Sequence, residues 1–471
     1  MGRKKIDLLL ENVTIDSVAA EGKALAHYDG QVVFVPFAVP GDVVNIRVTK
    51  KKKNYLEGFV TEIVTPSPDR LEAFCSHFGV CGGCKWQPLP YEMQLKAKQQ
   101  QIYDQLVRIG HLDVPEIKPI IGSERTTYYR NKLEYSFSSK RWIFSDENPD
   151  TMSAEERCGL GFHVGKYFDK VLDIKKCYLQ RDPSNDIRLF VKQYALDHSL
   201  SFFDIRENTG FLRNMFIRTS ENDEVMVIMC FFYEDEKERC GLLDSLSKAF
   251  PQITSLYYVI NTKLNDSVSD QTCVLYKGKD SICESMENLR FKIGPKSFFQ
   301  TNTPQGCRLY NVVRNFASLT GKEVVYDLYT GTGTIAQFVA SKAKKVIGIE
   351  YVSEAIDDAR INATGNGITN CEFVAGDMKD ILTDSFIKEN GHPDVIILDP
   401  PRAGIHPDVA KVILNASPER IVYVSCNPAS QARDIALLAG KYVITAVQPV
   451  DMFPHTQHVE NVCLLNIKPA L

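Results

Sequence analysis

From residue 320 onward the chain alternates apolar, β-branched runs with helical segments, a pattern that restricts it to a wound α/β sheet. Strands are predicted at Glu323–Tyr329, Lys345–Glu350, Cys371–Ala375, Asp394–Asp399, Arg420–Cys426, Val443–Val450 and Val459–Ile467, with helices separating the first six. Near-continuous apolar strands of this kind form a parallel sheet that is covered on both faces. Ligands bind such sheets outside the carboxyl ends of the strands, so those ends are where chemistry is expected.

The first strand runs into Asp327-Leu328-Tyr329-Thr330-Gly331-Thr332-Gly333-Thr334, a glycine turn that opens a helix. The second ends in Glu350, where an acid accepts both hydroxyls of a ribose. The third glycine of a dinucleotide fingerprint is missing, with Gln337 near its place, and no basic residue awaits a pyrophosphate. A nucleoside such as S-adenosylmethionine fits this turn better than a dinucleotide. Asp377, at the end of the third strand, is placed to meet the adenine or a group beside it. The fourth strand ends in Asp399-Pro400-Pro401-Arg402, and the two prolines fix a loop that presents Asp399 at the rim. Arg402 stands where many amino-methyltransferases carry an aromatic residue that stacks on the target base.

The fifth strand ends in Ser425-Cys426-Asn427-Pro428 and delivers one sulfur to the same rim. Most cysteines at such positions are packing residues. Beside a methyl-donor site, though, a thiol suggests methylation at carbon. C5 of uracil is too weak a nucleophile to take a methyl group directly. Thiolate attack at C6 creates an enolate, C5 then attacks the sulfonium methyl, and a base removes the C5 proton to expel the enzyme. The thiol is mostly un-ionised at neutral pH, so the site needs an activating feature. The candidate base is Glu460, in His455-Thr456-Gln457-His458-Val459-Glu460-Asn461. His455 and His458 compete for that role, with a better unperturbed pKa.

Upstream, Cys75-Ser76-His77-Phe78-Gly79-Val80-Cys81-Gly82-Gly83-Cys84 sets three thiols in a C-x5-C-x2-C spacing. Thiolates are the soft ligands of zinc and of iron–sulfur clusters, and the glycines let the backbone wrap closely. The fourth ligand is expected at Cys177, ahead of Cys158, Cys230 and Cys240. His77 is a rival that would favour zinc. Thirteen cysteines, an odd number, suit a reducing cytosol better than a disulfide framework. The start, Met1 to Lys5, does not read as a signal peptide, and no apolar run is long enough to span a membrane, so a cytoplasmic monomer is expected.

Strand-like runs at Gln31–Pro36, Asp42–Val48 and Leu56–Val64 suggest a small β-barrel, with Lys50 to Tyr55 presenting four cations and an aromatic between strands. The net charge of −4 gives no global basic field, so RNA contact has to be local. Residues 91–110 read as an amphipathic helix ended by Gly110. The region from 126 to 290 reads as α+β, with strands near 132–137, 171–174, 211–218, 225–232 and 255–259. Tyr129-Arg130-Asn131-Lys132 is placed either to hold RNA backbone or to face solvent.

The pattern Gly22…Asp29-Gly30…Phe34-Val35-Pro36…Val39-Pro40-Gly41 resembles the TRAM domain, an RNA-binding barrel, over residues 6–66. Ser297-Phe298-Phe299-Gln300-Thr301-Asn302, together with the Asp327, Asp399-Pro400-Pro401-Arg402, Ser425-Cys426-Asn427-Pro428 and His458-Val459-Glu460-Asn461 motifs, resembles the RNA uracil-C5 methyltransferase family over nearly the whole chain. This resemblance implies a Rossmann-like class I methyltransferase domain at 291–471, a central α+β domain at 67–290 and the barrel at 1–66. The helix at 91–110 is a candidate to pack on the catalytic domain. It also implies Cys426 as nucleophile and Glu460 as base, with Gln300, Tyr329, Glu350, Asp377 and Asp399 lining the S-adenosylmethionine and uracil pockets. Cys75, Cys81, Cys84 and Cys177 match ligands of a 4Fe-4S cluster. Thr330 and Thr334 stand where Cys and Asn are common, and Thr334 keeps the capacity to hydrogen-bond the cofactor. Barrel and cluster together resemble the enzymes that act on 23S ribosomal RNA. The alternatives are a tRNA uridine methyltransferase, a cytosine-C5 RNA methyltransferase, and a non-catalytic RNA-binding assembly factor.

Overall fold

The computed structural model describes residues 8–165, 167–268 and 270–469, so the basic start at Met1 to Lys5 lies outside the described residues. Five strands, β1 (Leu9–Val18), β2 (Lys23–Tyr28), β3 (Gln31–Pro36), β4 (Val43–Lys51) and β5 (Tyr55–Thr65), close into a barrel in the order β1-β2-β3-β5-β4. Its interior is filled by alternate residues, among them Val33, Val35, Val44 and Ile46. β1 and β2 were missed in the sequence because β1 is irregular: its register shifts against both neighbours, and Asn12 sits at φ 53°.

Helix α1 (Tyr91–Tyr103) follows, and the coil continues through π-type turns to Ile109. The expected apolar face is corrected here, because the buried residues of α1 are Gln94, Lys98 and Ile102. Lys98 is fully buried against Asp451, with Nζ to Oδ1 at 2.6 Å. The helical stretch packs on the catalytic part, where Ile102 and Leu106 join the core of Tyr326, Ile396 and Ile435. Gly110 keeps a right-handed conformation (φ −75°), so it is not a left-handed stop. Its lack of a side chain serves close approach, since a Cβ there would lie 2.9 Å from that of Ala432.

The central sheet contains β6 (Lys132–Ser138), β7 (Gly159–Val164), β8 (Tyr167–Asp173), β9 (Leu212–Thr219), β10 (Val225–Phe231), β11 (Ile253–Ile260) and β12 (Val274–Gly278), in the order β12-β11-β10-β9-β6-β7-β8. Helices α2 (Ser184–Asp197) and α3 (Glu236–Ala249) cover one face. The other face, including Phe216, Met226 and Ile228, shares a core with the catalytic part. That sharing explains why β9 and β10 are buried at every position. The hairpin β13 (Ile282–Met286) and β14 (Leu289–Ile293) also packs there. Asn362 accepts from Lys292 N at 2.7 Å, so the expected boundary at 290 falls inside a strand tied to the catalytic part.

The catalytic sheet is built from β15 (Val324–Leu328), β16 (Lys345–Glu350), β17 (Cys371–Ala375), β18 (Val395–Leu398), β19 (Arg420–Ser425), β20 (Tyr442–Val450) and β21 (Glu460–Ile467). Its order is β17-β16-β15-β18-β19-β21-β20, and the strand order reverses between β15 and β18. All neighbours are parallel up to β19, and β21 inserts antiparallel between β19 and β20. The wholly parallel reading therefore stops at β19. Helices α4 (Thr303–Ala317), α5 (Thr334–Ala340), α6 (Ser353–Gly365), α7 (Met378–Ile381), α8 (Asp384–Asn390), α9 (Pro407–Ala416) and α10 (Pro428–Leu438) complete the unit. Among the described residues no helix is long and apolar enough to cross a membrane.

Candidate active site

The sheet register assembles the rim. Leu328 pairs with Ile349 and Leu398, so Tyr329, Glu350 and Asp399 follow side by side at the strand ends. Ser425 pairs with Asn461, so Cys426, the residue after β19, and Glu460, the first residue of β21, lie at the same end of this strand pair, where the charge of Glu460 acts on the thiol. The reversed strand is thus what brings an acid from the start of one strand to a thiol at the end of another.

Asn427 and Pro428 end β19 and also start α10. The Asn427 side chain accepts from Ala429 N at 3.2 Å, and Pro428 takes the first helical position, where its missing N–H costs nothing. Cys426 therefore sits at the N-terminal, partially positive end of a helix, a setting that favours a thiolate. Burial, and next the charge of Glu460, push its thiol up to about 11, while the charge of Arg402 opposes them. Burial and then Asp399 push the Glu460 carboxyl up to about 8, again opposed by Arg402. Asp399 rises to about 7 through burial. Arg402 is thus a site residue that the sequence reading left without a role. Tyr310 is another: it is 3% exposed, reads as one more apolar position of α4, and sits by Gln300, Asp399 and Glu460, with burial raising its phenol well above the usual value.

The nucleoside side is built from the glycine turn. Gly333 has φ 74° and would place a Cβ 2.7 Å from the Phe373 ring, so the turn needs glycine on both counts. Asp327 is fully buried and accepts from Ala336 N at 3.0 Å and from the Thr330 hydroxyl, holding the turn to the start of α5. Its carboxyl is pushed up to about 7 by burial first, with Asp399 and Glu350 adding. Glu350 accepts from Gly331 N (3.2 Å) and from Val352 N (3.0 Å), which fixes its carboxylate at the rim. Thr334 is buried at the start of α5, with its hydroxyl 3.3 Å from that of Thr332. Tyr329 takes φ 65° and forms a half-buried wall. Asp377 lies on the same rim, but its carboxylate caps α7 and pairs with Lys379 at 3.0 Å, which lowers its pKa.

Gln300 is held through its carbonyl, which accepts from Asn131 Nδ2 at 2.9 Å. Within the segment Tyr129 to Lys132, Tyr129 and Asn131 are engaged inside the protein, while Arg130 and Lys132 stay partly exposed. Tyr129 donates to Pro454 O at 3.0 Å, and Arg130 lies over the Phe453 ring. His455 has Nδ1 3.2 Å from Gln94 Nε2 and its ring edge-on to Phe74. Burial, then Lys98, depresses it to about 4, while burial, then Arg402, depresses His458 to about 4. Both imidazoles are therefore neutral at pH 7.

Cys75, Cys81, Cys84 and Cys177 all line one cavity of about 540 Å³, while Cys158, Cys230 and Cys240 do not. Gly83 N points at Cys81 Sγ (3.5 Å), and burial pushes the thiols of Cys81 and Cys84 up to about 11 and about 12. His77 also lines the cavity, but its Nε2 already accepts from Lys175 N at 2.9 Å, so this nitrogen is not available to zinc. Among the described residues no three His, Cys, Asp or Glu side chains are gathered to hold a single metal ion. In the barrel, Lys50 pairs with Glu57 at 2.7 Å and lies over the Tyr55 ring, so one of the four hairpin cations is already engaged.

The chain is similar to known proteins over most of its length. Residues 278–468 match the family model for tRNA (uracil-5-)-methyltransferase, and residues 11–61 match the TRAM domain. A protein of Porphyromonas gingivalis described as an uncharacterized RNA methyltransferase is 56% identical over 458 residues, 96% of this chain and 98% of its own. One of Bacteroides thetaiotaomicron with the same description is 56% identical over 454 residues, 96% and 100% of the two chains. Among solved structures, the Pyrococcus abyssi tRNA (uracil-54, C5)-methyltransferase in complex with S-adenosyl-L-homocysteine superposes with a TM-score of 0.73. It is 28% identical and covers 97% of this chain and 100% of its own.

Proposed function

Because the chain belongs to the RNA (uracil-5-)-methyltransferase family and is an S-adenosylmethionine-dependent enzyme, we propose that it methylates C5 of a uridine through a covalent bond from Cys426 to C6. The observation that supports this reading is the β19–β21 pairing, which ends at Ser425 and Asn461 and so leaves Cys426 and Glu460 at one rim, with Asp399 acting on both by charge. Cys426 adds to C6, and the electron pair moves to the pyrimidine oxygen as an enolate. C5 then attacks the donor's methyl carbon, the sulfonium–carbon bond breaks, and S-adenosylhomocysteine leaves. Glu460 takes the C5 proton, the C5–C6 double bond re-forms, and Cys426 departs as thiolate. Arg402 stabilises that thiolate, while Asp399, Gln300 and Tyr310 face the pyrimidine edge. Glu350, Tyr329, Thr334 and Asp377 hold the nucleoside of the donor, the first at its ribose hydroxyls.

The proposed substrate is 23S ribosomal RNA. Transfer RNA is the second reading, favoured by one observation: the Pyrococcus abyssi enzyme aligned over its whole length is by name a tRNA methyltransferase. Whole-chain architecture therefore does not separate the two. Ribosomal and transfer RNA from a strain lacking the enzyme, incubated with methyl-labelled donor and digested to nucleosides, separates them. Label in 5-methyluridine from large-subunit RNA supports the first reading, label confined to tRNA supports the second, and label in 5-methylcytidine contradicts both.

We place a 4Fe-4S cluster at Cys75, Cys81, Cys84 and Cys177. Four soft thiols around one cavity, with an amide N–H directed at a sulfur, suit a cluster whose ligands stand farther apart than those of a single ion. When bound, the cluster supplies a four-point crosslink between the 75–84 loop and the loop after β8 that carries Cys177, since methylation moves no electrons. Anaerobically purified protein is expected to show broad visible absorbance with iron and sulfide in equal amounts; zinc without sulfide contradicts this assignment.

The two acids of the reaction also set its pH dependence. Cys426 and Glu460 both act deprotonated, and both are held above their usual pKa, to about 11 and about 8. kcat/KM covers the steps up to methyl transfer, which need only the Cys426 thiolate, so it is expected to rise about tenfold per pH unit from pH 6 to 9, while RNA release, which needs Glu460 deprotonated, is expected to rise about tenfold per pH unit up to about pH 8. A profile flat across that range contradicts the pairing.

A further inference from the structure

Glu460 is the first residue of β21, and residues 451–459 before it form the loop of the β20–β21 hairpin. Pairing with Val450 sets its backbone on one side, and the chain enters it from a loop with no regular structure of its own. That loop is gripped from one side. Lys98 Nζ binds Asp451 Oδ1 (2.6 Å) and Phe453 O (3.0 Å), and Tyr91 donates to Asp451 Oδ2 at 2.9 Å. Gln94, fully buried, accepts from His455 N at 2.8 Å and donates to Trp86 O and Leu89 O at 3.0 and 2.8 Å. Lys85 N and Trp86 N, the two amides after Cys84, both donate to His455 O, at 2.7 and 3.2 Å.

We propose that Gln94 and Lys98 are positioning residues for Glu460: by clamping the 451–459 loop they aim its carboxyl at C5 of the bound pyrimidine. None of these groups reaches the reacting atoms, yet a helix from the other end of the chain buries a glutamine and a lysine to do this. A helix face evolved only for packing would be apolar, because burying these groups costs free energy unless every polar atom is matched. The inference rests on the reading of Glu460 as base, and it makes a distinctive demand. Loosening the clamp should leave thiol addition and methyl transfer in place and slow the proton abstraction that releases the product.

The test is a single-turnover reaction of the full-length Gln94→Leu enzyme with uridine-containing RNA and methyl-labelled donor. Methyl transfer and denaturant-stable protein–RNA complex are followed separately. Methyl transfer is expected within about threefold of wild type and RNA release at least about tenfold slower, with complex accumulating and the KM for RNA unchanged. Tyr91→Phe removes one bond of the clamp, together with the bond that its hydroxyl accepts from Ser123 N, while Lys98 still pairs with Asp451, and it is expected to slow release about threefold. Glu460→Gln in the same assay separates the two claims. If Glu460→Gln holds complex while Gln94→Leu and Tyr91→Phe release RNA at the wild-type rate, the clamp inference fails alone. If Glu460→Gln itself releases RNA normally, the base assignment fails and takes the inference with it. Equal loss of methyl transfer and release in both clamp variants marks a purely structural role and also overturns it.

Discussion

Cys426→Ala is expected to abolish methyl transfer, with turnover lower by at least about 10⁴-fold and no covalent complex with RNA. The reason is the weakness of C5 as a nucleophile: without a bond to C6 there is no enolate to attack the methyl group. The substitution leaves β19 and α10 in place, because the side chain is only half-buried and the Asn427-Pro428 cap does not depend on it. Donor and RNA binding should therefore survive, measured as dissociation constants within about threefold of wild type. Undiminished methyl transfer by this variant would remove the thiol from the mechanism.

Glu460→Gln is expected to behave differently. The amide preserves shape and hydrogen bonding but does not accept the C5 proton. Thiol addition and methyl transfer proceed, and the enzyme then stays bonded to the methylated base. Turnover should fall by about 10² to 10⁴, the range associated with removing a general base. In the same reaction, a protein–RNA complex stable to denaturant should accumulate towards one per enzyme. A drop in turnover without such a complex would place Glu460 before methyl transfer, as the group that deprotonates Cys426.

Much of the catalytic part was legible in the sequence because each strand is a near-continuous apolar run, broken by glycine, proline or an acid where the backbone leaves the sheet. The same breaks carry the site, so Gly331, Gly333, Glu350, Asp399 and Cys426 could be named from their positions at strand ends. The antiparallel insertion of β21 was not legible as pairing, since its apolar pattern is the same in either direction. Helix α1 was read as having an apolar face, but the residues it buries include Gln94 and Lys98, matched by loop groups some 350 residues away. Periodicity cannot reveal a polar face that finds its partners so far along the chain. Tyr310 was hidden for the opposite reason: it sits among Leu309, Val313 and Phe316 on an apolar helix face, and only the fold shows its hydroxyl near Gln300. Arg402 was noticed but given no task, because its relation to the sulfur comes from two loops that meet at the rim. The irregular first barrel strand and the short β13–β14 hairpin offered too few alternating residues to stand out.

The central claim is a bond between Cys426 and C6 of a uridine. The most direct measurement is peptide mapping of the complex formed by Glu460→Gln with uridine-containing RNA and S-adenosylmethionine, after digestion of both protein and RNA. The peptide containing Cys426 is expected to carry a methylated uridine nucleotide attached through sulfur. A nucleotide on any other cysteine, or a trapped complex in which the Cys426 peptide is unmodified, would contradict the account.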